Sequence, residues 1–144
     1  LYTAYNIEDT VLSLATTKDP FNREAGLDTA VSFHKLENKK WGFAHPLKGP
    51  HYLFWGGDSV IRVAKSDNLL SWPDIGEIFL KPRPFNFDNF LVESGPPPLR
   101  LSDGNYIFFY NSVETGWPGD SAASVNPGWV ILDGDDPTKI VQRS

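Results

Sequence analysis

Three times along the chain an aromatic or apolar strand gives way to a loop, then to a second strand ending in a small or acidic residue, then to a polar turn carrying Asp. In the first copy Tyr2-Thr3-Ala4-Tyr5-Asn6 leads to Val11-Leu12-Ser13-Leu14-Ala15 and the turn Thr16-Thr17-Lys18-Asp19-Pro20. The second carries Ser59-Val60-Ile61-Arg62-Val63-Ala64 and then Lys65-Ser66-Asp67-Asn68-Leu69-Leu70-Ser71-Trp72. The third carries Asn105-Tyr106-Ile107-Phe108-Phe109-Tyr110, then Gly128-Trp129-Val130-Ile131-Leu132-Asp133 and the turn Gly134-Asp135-Asp136-Pro137. Roughly 50 residues separate Ala15 from Ala64 and roughly 70 separate Ala64 from Asp133, so a period near that of propeller blades is expected, with one long loop inserted in the last unit.

Each segment is short, rich in Val, Ile, Phe, Tyr and Trp, and bounded by Gly, Pro, Asp or Asn, which is how strands and tight turns are spelled. The expected fold is all-β: a fragment of about two to three blades of a β-propeller, with units at about 1–26, 27–80 and 81–144. An arc that does not close leaves sheet edges and apolar faces uncovered, so the piece alone is expected to be sticky. Within the second unit either Lys40-Trp41-Gly42-Phe43-Ala44-His45 or His51-Tyr52-Leu53-Phe54-Trp55 can pair with residues 60–64; the first is preferred, because it sets Asn38-Lys39-Lys40-Trp41 against Asp103-Gly104-Asn105-Tyr106 of the third unit as turn plus strand start. Residues 51–58 are then left as a loop.

Composition narrows the function. The 144 residues are 40% hydrophobic and 14% aromatic, with 12 Gly and 12 Pro, a globular β-leaning mixture rather than a disordered one. A net charge of -5, with no basic cluster longer than Lys39-Lys40, gives a nucleic-acid backbone little to hold. No run approaches the length of a membrane-spanning helix, so no membrane partner is expected. Zero Cys excludes disulfides and thiolate metal sites without fixing the compartment, and no His pair or cluster suggests a metal or calls for a cofactor. The chain has no Met, and its first residues alternate as a strand does. Leu1 is therefore expected to be a cut end within a longer protein.

The ordered motifs resemble glycoside hydrolase family 130, whose members are β-mannoside phosphorylases and β-1,2-mannosidases on five-bladed propellers. Tyr2-Thr3-Ala4-Tyr5 resembles the segment that follows the family's Glu-Asp-Pro-Arg signature. Leu14-Ala15-Thr16-Thr17-Lys18-Asp19 resembles the next family segment, and Asp28-Thr29-Ala30-Val31-Ser32-Phe33 is similar to its Lys-Asp-Ala-x-x-Phe, with Leu27 in place of Lys. Ser66-Asp67-Asn68-Leu69-Leu70-Ser71-Trp72, Gly95-Pro96-Pro97-Pro98-Leu99 and the closing run from Leu132 to Arg143 continue the match in order. The resemblance implies the middle-to-late blades of such a protein, taking a β-mannoside oligosaccharide as substrate. It also places the general acid, the Asp of the signature, upstream of Leu1, so these residues alone are expected to be inactive.

Inverting hydrolysis needs a carboxylic acid for the leaving oxygen and a carboxylate to activate water. Glu93, in Leu91-Val92-Glu93-Ser94-Gly95-Pro96, is the leading catalytic candidate, because a carboxylate between apolar residues and a Pro-stiffened turn is poorly solvated. Asp58 is the second: beside Gly56-Gly57 and the expected aromatic platform of Trp55, it can accept sugar hydroxyl protons, though Gly-Gly-Asp is equally an ordinary turn. Asp19, Asp67 and Asp136 recur at equivalent places and are expected to cap turns.

The substrate contacts implied by the resemblance are Tyr5, at the end of the opening motif, and Asp28, at the start of an innermost strand. His45 stands in Ala44-His45-Pro46 where phosphorylases of the family show His-Arg-Pro, and the missing Arg removes a fork-shaped phosphate donor. Asn111 replaces a His after Phe109-Tyr110. Both departures favour hydrolysis, with phosphorolysis of β-mannosides by inorganic phosphate as the alternative and a non-catalytic sugar-binding propeller as the reading from another class. Trp117 is a candidate for the pocket rim.

Overall fold

The computed structural model describes the strand backbones at 2–5, 10–13 and 41–45, and residues 50–56, 58–68, 72, 76–116 and 123–144 in full. Every regular element among them is a β-strand. Strands β1 (Tyr2–Tyr5) and β2 (Thr10–Ser13) pair antiparallel. Next comes a four-stranded sheet of β3 (Trp41–His45), β4 (His51–Gly56), β5 (Ile61–Ser66) and β6 (Glu77–Leu80), paired in chain order. The last sheet holds β7 (Leu91–Ser94), β8 (Leu99–Arg100), β9 (Tyr106–Thr115), β10 (Ala123–Leu132) and β11 (Ile140–Arg143).

The expected partner of residues 60–64 is corrected. β5 pairs with β4, Phe54 standing opposite Val63, while the stretch containing Trp41 pairs with the other edge of β4, Phe43 opposite Phe54. Residues 51–56 are therefore the inner strand of the sheet and not a loop. The physical reason is the unbroken apolar run Tyr52-Leu53-Phe54-Trp55, which a loop would leave exposed and which, as a strand with packing on both faces of its sheet, is buried throughout. Tyr52 and Phe54 enter the core shared with the last sheet, whereas Leu53 and Trp55 enter a second cluster with Ala64, against which Trp72 packs.

In the last sheet β7 and β8 both pair with β9, at opposite ends, so that together they form one interrupted edge strand. Gly95 continues the ladder by donating its amide to the Phe109 carbonyl at 3.2 Å. The three prolines that follow have no amide to offer and break it. β9 and β10 pair over ten residues each, from Thr115 opposite Ala123 to Tyr106 opposite Leu132. The long loop expected in this unit is thus largely an extension of the hairpin, with residues 117–122, Trp117 included, outside the described residues.

Alternation decides what β9 and β10 bury. Tyr106, Phe108 and Tyr110 are buried on one face of β9, and Val130 and Leu132 follow on β10, as a period of two requires. They meet Tyr52, Phe54, Ile61, Val63 and Leu80 of the preceding sheet. At the centre Phe54 lies 4.9 Å from Phe79, edge to face, and 5.3 Å from Phe108, ring centroid to ring centroid. Such aromatic contacts add roughly 0.5–1.5 kcal/mol each beyond their area. The opposite face of the last sheet leaves Phe109, Leu99 and Val125 exposed.

Candidate active site

Glu93 sits on β7, directly opposite Asn111 of β9. Because Val92 is buried in the shared core, strand alternation turns Glu93 to the other face, half-buried, where the side chain of Asn111 is exposed to solvent. Directly opposed residues of an antiparallel pair hold their Cβ atoms about 5 Å apart. A carboxylate and an amide are thereby set side by side, one able to accept a proton and the other to donate or accept a hydrogen bond. Phe109, two residues from Asn111 on the same face and 37% exposed, adds an aromatic surface that the sequence reading did not single out. The signal was present in the alternation of residues 106–110, where Phe109 falls out of phase with the buried set.

Asp58 is exposed in the turn between β4 and β5. Among the described residues that turn reaches β7 through a backbone contact: the Val92 amide donates to the Ser59 carbonyl at 3.2 Å. Asp58 precedes the acceptor and Glu93 follows the donor, so the two catalytic candidates flank a single hydrogen bond. The far end of β9 is drawn to the same end of the sheet by Asn89, whose side chain accepts the Thr115 amide at 2.9 Å and donates to the Thr115 carbonyl at 3.1 Å.

The remaining candidates fare differently. Trp55 is corrected as an open platform: it is 5% exposed, packed with Leu53 and Ala64, and the Arg62 guanidinium lies 5.8 Å from its ring centroid. An interior strand turns every second side chain into each face, and neither face of β4 is left bare. The backbones of Tyr5 and His45 lie in β1 and β3, opposite Thr10 and Tyr52. Asp28 and Asp19 lie outside the described residues. Asp136 caps its turn, accepting the Thr138 amide at 3.2 Å and hydroxyl at 2.6 Å, and the Thr138 hydroxyl is the leading cause of its lowered pKa. In the second unit the turn is closed by Ser66, whose hydroxyl oxygen accepts the Asn68 amide at 3.3 Å, while Asp67 is exposed.

The strongest charge cluster is one the sequence did not reveal. Asp88, 0% exposed, accepts two bonds from Arg83, at 3.1 and 3.0 Å, one from Arg143 at 2.5 Å and one from the Tyr110 hydroxyl at 2.8 Å. Burial alone would raise its pKa, but the hydrogen bonds from Arg83 and Tyr110 and the charge of Arg143 outweigh that and hold it below the usual carboxylate range. Arg83 also donates to the Ser144 carbonyl at 2.6 Å and Arg143 to that of Lys81 at 3.0 Å. A carboxylate so enclosed is poorly placed to exchange protons with a substrate. The cluster ties the segment between the sheets to the end of β11. Among the described residues no group of three or more His, Asp or Glu gathers as a metal centre would.

No family model matches the chain. A 1,2-β-oligomannan phosphorylase of Thermoanaerobacter sp. (strain X514) is 29% identical over 101 residues, covering 70% of this chain and 31% of that protein. A solved structure from work on mannoside phosphorylases and glycoside hydrolases of family 130 that target β-1,2-mannosidic linkages in Candida mannan superposes with a TM-score of 0.73 at 23% identity. It covers 99% of this chain, which spans 46% of it. A glycosyl hydrolase from Bacteroides ovatus superposes with a TM-score of 0.70 at 22% identity over the same shares. The chain thus spans about a third of the curated relative and just under half of the solved structures. The chain is similar in sequence to a 1,2-β-oligomannan phosphorylase and in fold to a structure from work on glycoside hydrolase family 130, over part of the length of each.

Proposed function

From this likeness to glycoside hydrolase family 130, we propose that the chain supplies adjoining blades of a five-bladed β-propeller that cleaves β-mannosides by inverting hydrolysis, with Glu93 as general base. The observation that carries the reading is the meeting of Glu93, Asn111 and the Asp58 turn at β7, on a fold shared with β-1,2-mannoside-acting relatives. Two successive antiparallel meanders with one aromatic core between them are what neighbouring blades look like.

In this reading Glu93 takes the proton of a water molecule as its oxygen attacks the anomeric carbon, on the face opposite the departing oxygen. Asn111 holds that water or a neighbouring hydroxyl, and Asp58 accepts a hydrogen bond from a hydroxyl of the sugar. The departing oxygen needs a proton from an acid roughly 6.5–9.5 Å away from the base. The Glu-Asp-Pro-Arg signature that carries this acid in the family does not occur among the 144 residues, so the chain alone turns over no substrate.

Phosphorolysis is the second reading, favoured by the phosphorylase activity named for the curated relative. Product analysis separates the two. The longest gene product carrying this sequence, given β-1,2-linked mannobiose, releases free mannose without phosphate if hydrolysis is right. Mannose 1-phosphate formed only on adding phosphate establishes the second reading, and binding without cleavage establishes a sugar-binding propeller.

A further inference from the structure

Asp58, in a turn of one sheet, and Glu93, on a strand of the next, have neighbourhoods joined by a backbone contact. Gly95 donates to Phe109 across the β7–β9 ladder, so by alternation the Glu93 amide also faces β9 and the Val92 amide faces the other edge of β7. An edge amide left without a partner is costly. The Ser59 carbonyl supplies one at 3.2 Å. To aim that carbonyl, Ser59 adopts φ 65, in the left-handed region that few residues other than glycine occupy. The turn is tight around it: a Cβ on Gly56 would stand 3.0 Å from the Val60 carbonyl oxygen.

We infer that Ser59 is a positioning residue of the site, its left-handed turn clipping the Asp58 loop to the edge of β7 and thereby fixing Asp58 relative to Glu93. The inference rests on the reading of Glu93 as the base. Along the backbone and across this hydrogen bond, the Cα atoms of Asp58 and Glu93 are separated by at most about 15 Å by standard bond dimensions. That lets both carboxylates reach one sugar ring. Local strain kept by a non-glycine residue next to a catalytic candidate is typical of pre-organised sites.

Two substitutions separate the backbone role from mere presence of a serine. Ser59→Gly accepts positive φ, whereas Ser59→Val, β-branched, resists it. In the longest gene product carrying this sequence, hydrogen exchange of the Val92 amide is compared with that of Phe108, and kcat and KM are measured on β-1,2-mannobiose. Ser59→Gly is expected to keep Val92 protected and kcat within about threefold. Ser59→Val is expected to lose at least about tenfold of the Val92 protection and of kcat, with Phe108 protection unchanged. Should Ser59→Val fail to fold, Ser59→Thr, also β-branched but close to serine in size, replaces it with the same directions expected. Val92 protection retained in the valine or threonine variant, or lost with kcat unchanged, overturns the inference. A wild-type protein that cleaves no mannoside overturns the catalytic reading, and the exchange comparison then decides the clip separately.

Discussion

The Tyr110 hydroxyl donates to Asp88 at 2.8 Å while accepting from the Arg143 Nε at 3.2 Å, so one phenol joins the centre of the last sheet to the segment that enters it. Removing the charge at its acceptor leaves two guanidinium groups around a neutral amide that offsets neither. Asp88→Asn is therefore expected to cost about 3–5 kcal/mol in urea unfolding near neutral pH.

The same carboxylate gives a pH dependence with a definite sign. Its pKa in the folded chain is depressed, so its contribution is complete above the unfolded value of about 4 and is lost as pH falls through the lower folded value. Stability of the wild type is expected to drop on acidification below about pH 4 more steeply than that of Asp88→Asn. Parallel slopes in unfolding titrations of the two proteins would show that Asp88 carries no such linkage.

Gly128 lies against the ring of Tyr110, close enough that an added Cβ would overlap the ring atoms. Gly128→Ala must push the ring aside and with it the hydroxyl that Asp88 holds. A loss of roughly 1–3 kcal/mol is expected, the range of an overpacked core, and a double-mutant cycle with Tyr110→Phe should show strong coupling. Additive effects would place the strain elsewhere.

Phe108 bridges the two sheets through Phe54 and Phe79. Phe108→Ala is expected to cost about 3–5 kcal/mol by urea unfolding. Phe109→Ala, one residue along and partly exposed, should cost well under half as much. Equal losses would contradict the assignment of the buried face.

The strand pattern was legible because residues 106–110 and 128–133 alternate and are fenced by turn residues. The pairing in the second unit was not, since two apolar runs lie within fifteen residues and either can donate to β5 locally. What decides is cover on both faces of Tyr52-Leu53-Phe54-Trp55, a tertiary requirement already hinted at by the lack of alternation. The same inward packing removes Trp55 from the surface. Length of the last hairpin also escaped, because Asn111-Ser112 reads as a strand end yet Ser112 is buried and bonds to the Asn126 carbonyl at 2.9 Å.

Glu93 could be singled out from its apolar surroundings and rigid turn, and Asn111 from the resemblance, but their opposition across a ladder comes only from register. The Asp88 cluster could not be read at all. Arg83 and Ser144 are 61 residues apart, and Asp88 lies in Asn86-Phe87-Asp88-Asn89, which spells a turn. The contact of Ser59 with Val92 is equally silent in sequence, since it uses backbone atoms alone.

The role of Glu93 is tested most directly by the kinetics of Glu93→Gln on β-1,2-mannobiose, in the longest gene product that carries this sequence. The substitution keeps the shape of the side chain and its place opposite Asn111 while removing the charge that would draw a proton from water. A general base predicts a fall in kcat of at least about a hundredfold, with KM and the unfolding midpoint close to wild type. Undiminished kcat in a folded Glu93→Gln protein would contradict the account.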